Sequence, residues 1–225
     1  MKTRNILVAC LLVVCLLLPM AGCAEQESTV HPAGFDKYKP LLGWHGTSVL
    51  DQLELTAEDA TKMTWREYKL TAPVEYCGIP FEVWLENEGD EQILGSFFYA
   101  AAFPQGDEAA AEKILAVAKQ LTRALGDPSS AEGAVDTVFV SEMTPATLAK
   151  ALTGGGTVTD CWVLGKADTP QTTALGAWLE GYRAGKNAPE KYPPTLLLKL
   201  RAFSDKDGSF GLELRYTLDY YNTWE

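Results

Sequence analysis

Residues 196–219 read LLLKLRAFSDKDGSFGLELRYTLD. Leu196, Leu198 and Leu200 recur at every second position. Ser204, Asp205, Lys206, Asp207 and Gly208 then make a polar turn, after which Phe210, Leu212, Leu214, Tyr216 and Leu218 alternate with Glu213, Arg215 and Asp219. A period of two sends one set of side chains to a buried face and the other to a wet face, so the stretch predicts a long antiparallel hairpin. Asp205 and Asp207 before Gly208 also invite a calcium reading. A calcium loop needs a bidentate glutamate at a fixed later position, and Glu213 comes too early. A hairpin turn explains the same residues, because Asp and Gly suit turn backbone.

A second hairpin stands upstream. Phe81, Val83 and Leu85 alternate with Glu82, Trp84 and Glu86, the turn-rich stretch Asn87 to Glu91 comes next, and Ile93 to Phe103 is strongly aromatic. Shorter strand candidates are Trp65 to Leu70, Val135 to Val140 and Val158 to Leu164. Helices are expected between them. Asp107 caps a stripe of Ala111, Ile114, Leu115, Ala118, Leu121 and Leu125 that Gly126, Asp127 and Pro128 stop. Thr144 before Pro145 and Thr169 before Pro170 each set a capping hydroxyl ahead of a first-turn proline. Leu148 and Leu152, then Leu175, Trp178, Leu179 and Tyr182, supply the apolar faces, with Gly154 and Gly185 as stops. This order predicts an α+β fold, a mainly antiparallel sheet built from two long hairpins plus short strands, with helices packed on one face. A helical segment and then a hairpin echo faintly at 56–103 and 169–221, without enough matching residues to claim duplication.

The start of the chain sets its location. Lys2 and Arg4 precede an unbroken apolar run from Ile6 to Leu18, too short for the roughly 20 residues of a membrane span and suited to the core of an export signal. Met20, Ala21, Gly22 and Cys23 come next. This segment resembles the lipobox of bacterial lipoproteins, and the resemblance covers no more of the chain. It implies that residues 1–22 are removed as a signal peptide and that Cys23 becomes an acylated N-terminus; the alternative is ordinary cleavage after Ala24, with Gly22 and Ala24 as the small residues. Palmitate-like chains would then hold the protein to the extracytoplasmic side of a bacterial cell membrane, since each buried CH₂ contributes about 0.8 kcal/mol and two or three chains anchor firmly. Residues 23–40 mix Glu25, Glu27, Ser28, Thr29, His31, Pro32, Gly34 and Lys37 with little apolar periodicity, and are expected to be a flexible lipidated tether. Residues 41–225 are then a single globular domain.

Composition narrows the function. Of 225 residues 47% are hydrophobic, which excludes disorder throughout. A net charge of -11, with no basic cluster, argues against nucleic-acid binding, which draws its affinity from Lys and Arg on phosphate. Loss of Lys2 and Arg4 with the signal takes the net charge of -11 to -13, a charge that repels anionic head groups and should keep the domain off the bilayer. Cys10 and Cys15 leave with the signal, so Cys77 and Cys161 remain as a candidate disulfide, the alternative being two separate thiols.

The catalytic inventory is thin. His31 and His45 are the only histidines, and HExxH, CxxC, GxSxG and phosphate-loop patterns are absent from the sequence. Gly154 to Gly156 lacks the Lys and Ser/Thr of a phosphate loop and reads as helix termination. No cofactor, metal site or catalytic residue is nominated. The acids Glu86, Glu88, Asp90 and Glu91 crowd a turn, where solvated charge is the default. Trp84 shares a strand face with Glu82 and Glu86, and these three form the candidate binding face, an aromatic platform for a sugar or a cationic side chain. Trp44, Trp65, Trp162, Trp178 and Trp224 are expected in core or edge packing, and His45 in a structural role. The expected function is a non-catalytic, lipid-anchored module that binds a protein, peptide or envelope polymer. Alternatives are an envelope carbohydrate hydrolase with paired carboxylates, or a structural assembly lipoprotein.

Overall fold

A computed structural model describes residues 29–43, 49–87, 94–133, 138–153, 155–166 and 194–219. The alternation in residues 196–219 is realised as two strands, β8 (Thr195–Ser204) and β9 (Phe210–Asp219), paired antiparallel with Leu200 opposite Leu214. The turn between them closes as the composition demands: Gly208 N donates to Asp205 O (3.0 Å), and Asp207 Oδ1 accepts from Ser209 N (3.0 Å) and Ser209 Oγ (2.6 Å). The upstream hairpin forms β4 (Ile79–Asn87) and β5 (Leu94–Phe103), with Val83 opposite Tyr99. The two hairpins lie side by side through β5 and β9, from Ser96 opposite Thr217 to Phe103 opposite Phe210.

Shorter strands extend both flanks. β1 (Ala60–Lys62) and β2 (Glu67–Leu70) continue one side, β3 (Val74–Tyr76) pairs with the first residues of β4, and β6 (Ser130–Gly133) and β7 (Thr157–Lys166) continue the other. The described residues thus form an antiparallel sheet in the order β1-β2-β4-β5-β9-β8-β7-β6, with β3 beside β4. The fold is α+β, as the alternating hairpins and amphipathic segments imply. Two expectations shift. Of the strand expected over Val135 to Val140, residues 135–137 lie outside the described residues and Val140 opens a 3-10 turn (Val140–Glu142), while a strand not expected there forms at Ser130–Gly133. Residues 56–59 form a turn held by Asp59, whose carboxylate accepts from Thr56 N and Thr56 Oγ1, so the helix needed for the internal echo is not there.

Four helices stand among the described residues: α1 (Phe35–Tyr38), α2 (Val49–Gln52), α3 (Glu108–Leu125) and α4 (Pro145–Thr153). Asp107 accepts from Ala110 N (2.9 Å) at the start of α3, and Gly126 leaves it at a φ of 84° that side chains other than glycine rarely adopt. Thr144 caps α4 by accepting from Thr147 N (3.2 Å). The stripe Ala111, Ile114, Leu115, Ala118 and Leu121 is buried with Leu148 and Leu152 of α4 and with Leu196, Leu198, Leu200 and Trp162 of the sheet. Trp162 Nε1 satisfies itself on Gly126 O at 2.9 Å.

The other half of this sheet face has an unexpected cover. Val30 to Leu42, of which the sequence assigns residues up to Pro40 to the tether, packs across β3, β5 and β9, so the tether cannot extend to residue 40. Phe35, Tyr38, Leu41 and Leu42 are buried, and the Phe35 and Tyr38 rings lie 4.9 Å from Tyr216 and 5.5 Å from Phe97. Three tyrosines hold the segment: Tyr76 Oη donates to Val30 O (2.9 Å), Tyr99 Oη to Ala33 O (3.1 Å), and Tyr216 Oη is hydrogen-bonded to His31 Nδ1 (3.0 Å). His31 also stacks on Phe35 at 3.9 Å. These residues read as linker because their burial has no helical or strand period; the ordering comes from scattered aromatic anchors and from hydroxyls reaching the backbone.

The segment 1–22 expected to be an export signal, Cys23, Trp44, His45, the acids Glu88, Asp90 and Glu91, Gly154, the helix expected from Thr169 to Gly185, and Trp224 lie outside the described residues.

Candidate binding face

Strand alternation separates the sheet into a face covered by α3, α4 and the N-terminal segment, and a second face that carries the candidate residues. On β4, Phe81, Val83 and Leu85 are fully buried, while Glu82 is exposed and Trp84 and Glu86 are partly exposed. Glu82, Trp84 and Glu86 therefore share the second face, as a period of two requires. Register then brings partners from three further strands: Lys69 of β2 and Phe98 of β5 stand opposite Trp84, and Arg215 of β9 stands opposite Phe98.

These four side chains make one continuous row. Lys69 Nζ lies 5.7 Å from the centre of the Trp84 ring, Trp84 and Phe98 stack at 5.7 Å with their planes 8° apart, and the Arg215 guanidinium sits 4.2 Å from the Phe98 ring. Such cation–π and stacked contacts contribute about 0.5–1.5 kcal/mol each. The carboxylates beside the row are engaged. Glu82 pairs with Lys69 (2.5 Å), Glu213 accepts from Arg215 Nε (2.7 Å), and Glu86 pairs with Arg215 Nη1 while accepting from Ser96 Oγ (2.8 Å). Arg215 Nη1 also donates to Ser96 Oγ (2.9 Å). Burial works against the Arg215 charge, but Glu213 and Glu86 outweigh it and hold the guanidinium above its ordinary pKa.

This geometry changes the electrostatic reading of Trp84. An indole among free carboxylates would attract a cationic ligand, yet the cation positions on this row are filled by the chain's own Lys69 and Arg215. Trp84 Nε1 is buried without a hydrogen-bond partner among the described residues. Beside Arg215 the face opens into a polar depression of about 210 Å³, lined by Arg66, Glu86, Asn87, Ser96, Arg215 and Thr217. At its rim Arg66 stacks on Trp65 at 4.6 Å, and Trp65 is 54% exposed, against the expectation that it packs in the core or an edge.

The hydrolase alternative needs two carboxylates facing each other across a cleft, one of which carries a proton. Glu86 and Glu213 come together here, but both are engaged by the one Arg215 guanidinium on the same sheet face. Among the described residues no three His, Cys, Asp or Glu side chains gather where they could hold a metal ion. The candidate disulfide is not formed: Cys77 is an exposed thiol in the β3–β4 turn and Cys161 a buried thiol in β7. Cys161 stands in register with the Trp84 row, four strand spacings from β4, about 19 Å, whereas a disulfide needs Cα atoms roughly 4.4–6.8 Å apart.

Sequence reasoning finds the β4 residues of the face and misses Lys69, Phe98, Ser96 and Arg66. Their only signal is register, which needs the strand order. It also misses Asp160 of β7, fully buried on the core face, where both carboxylate oxygens accept from Val140 N (3.1 and 3.0 Å). No protein-family model, curated protein or solved structure matches this chain.

Proposed function

We propose that the protein is a lipoprotein anchored through Cys23 to the extracytoplasmic side of a bacterial membrane, and that its domain is a non-catalytic module for binding an envelope glycan. The observation that carries the binding half is the continuity of the Trp84–Phe98–Arg215 row with the polar depression and the exposed Trp65. The exposed Trp65 ring beside convergent hydroxyl, amide, guanidinium and carboxylate groups matches a polyhydroxylated ring, which has an apolar face and a polar rim. The depression is smaller than the roughly 300–1,000 Å³ of small-molecule pockets, so it suits one unit of a longer chain. A cationic peptide fits less well, since Lys69 and Arg215 already cover the rings of the row.

Co-sedimentation of the mature protein with purified, insoluble envelope glycan tests this, with soluble reducing ends measured in the same tubes. Retention of the wild type, loss of retention for Trp84→Ala and Arg66→Ala at unchanged thermal stability, and no release of reducing ends support a binding module. Release of reducing ends favours the hydrolase alternative. Equal retention of the wild type and both variants removes the face from consideration.

A further inference from the structure

The packed N-terminal segment limits how this domain can stand on a membrane, given the lipid anchor at Cys23 proposed for the chain, on which the orientation rests. The chain joins the fold at Val30, whose carbonyl is held by Tyr76 Oη (2.9 Å). From Cys23 to Val30 there are seven Cα-to-Cα steps, which span at most about 25 Å when fully extended. A tether reaching residue 40 would have allowed more than twice that length and no fixed orientation. Val30 is one tyrosine side chain from Tyr76, and Tyr76 borders the two-residue Cys77–Gly78 turn between β3 and β4. From there the segment runs up the sheet: Ala33 meets Tyr99, Phe35 meets Phe97 and Tyr216, and Gly43 N donates to Leu94 O (2.8 Å).

We infer that the Cys77–Gly78 end of the sheet faces the bilayer and that the Trp65 and Arg215 end faces away, so that the glycan-binding face is presented to the wall or surface side and not to lipid head groups. β4 runs the length of this axis. Its Ile79 pairs beside the turn, and its Glu86 and Asn87 line the polar depression, so the depression stands about 30 Å beyond the anchored end at 3.4 Å per residue. The β1–β2 tip with Met63 and Trp65 lies at that same far end, because Glu67 stands opposite Glu86 and Asn87 N donates to Arg66 O (2.6 Å). Three tyrosine hydroxyls and the buried Phe35 and Tyr38 rings keep the segment on the sheet, so the short reach cannot lengthen without breaking core contacts.

Cys77 provides the probe. It is exposed while Cys161 is buried, so a thiol-reactive donor dye marks the end assigned to the bilayer. The full lipidated protein, so labelled, is reconstituted into vesicles carrying a head-group acceptor and recovered by flotation. A second protein, Cys77→Asn with Met63→Cys, moves the dye to the far tip, where Met63 is 50% exposed. Energy transfer several-fold stronger from position 77 than from position 63 is the expected result. Equal transfer, or stronger transfer from position 63, overturns the orientation while leaving the anchor intact. Failure of both proteins to float with the vesicles overturns the anchor and the orientation together.

Discussion

Replacing Asp160 by Asn isolates one buried charge from the chain's many others. Asp160 projects from β7 into the core with no exposed surface, and its carboxylate receives Val140 N through both oxygens. Burial is the largest influence and pushes its pKa up to about 6; the N–H donors of Val140 and Ser141 pull it partly back, and Glu142 adds to the rise. The unfolded chain titrates this group near its ordinary value of 3.8. Between those two pH values the folded protein keeps a proton that the unfolded chain has released. The stability from this group is therefore complete below 3.8 and is lost as pH rises through about 6. That gap corresponds to about 3 kcal/mol, at 1.36 kcal/mol per pH unit. An asparagine in this position keeps an oxygen to accept from Val140 N and has nothing to ionise. Urea denaturation of wild type and Asp160→Asn from pH 3.5 to 8 reads the effect as a difference, in which the other carboxylates cancel. The variant should gain about 3 kcal/mol relative to wild type between pH 4 and 7. A difference that stays flat, or falls as pH rises, would refute the argument that burial outweighs the backbone donors.

Further changes probe other parts of the structure. Cys77 has a φ of 52° and Gly78 a φ of 70°, the backbone of a type I′ turn, so Cys77→Asn should raise stability by about 0.5–1 kcal/mol in thermal melts; a loss would mean the thiol supports the turn. A Cβ on Gly106 would meet Gly208 O at 2.1 Å and the Phe210 ring at 2.7 Å, so Gly106→Ala should cost about 1–3 kcal/mol in urea, and an unchanged midpoint would contradict this packing. His31 has a pKa lowered by burial first, with Asp36 opposing and Lys39 adding to the effect. Its contribution is present above 6.5 and lost as pH falls through the lowered value, opposite in sign to Asp160. The stability advantage of wild type over His31→Gln should shrink on acidification below 6.5; an advantage that grows there would reverse the assignment.

The parts of the fold visible in the sequence are those whose burial has a period. Leu212, Leu214 and Tyr216 on β9, Phe81, Val83 and Leu85 on β4, and Ile114, Leu115 and Leu121 on α3 announce their elements because every repeat points the same way. The N-terminal segment has no such repeat. Phe35, Tyr38, Leu41 and Leu42 are buried from an irregular path, among glycine, proline and lysine residues that read as linker. Asp160 is invisible for a related reason. It occupies an inward position of β7, and what makes a carboxylate tolerable there is a backbone amide twenty residues earlier. On the candidate face, Glu82, Trp84 and Glu86 share a strand and so share a legible face, whereas Lys69, Phe98 and Arg215 join them only once the order β2-β4-β5-β9 is known. Local alternation does not encode which strands become neighbours.

β9, the last strand among the described residues, lies in the middle of the sheet, between β5 and β8. A ribosome releases the N-terminus first, so the emerging polypeptide carries a split platform whose halves have no shared seam. Closure waits for residues 210–219, and a product cut short before them would offer two raw hydrogen-bonding borders to proteases and to its neighbours.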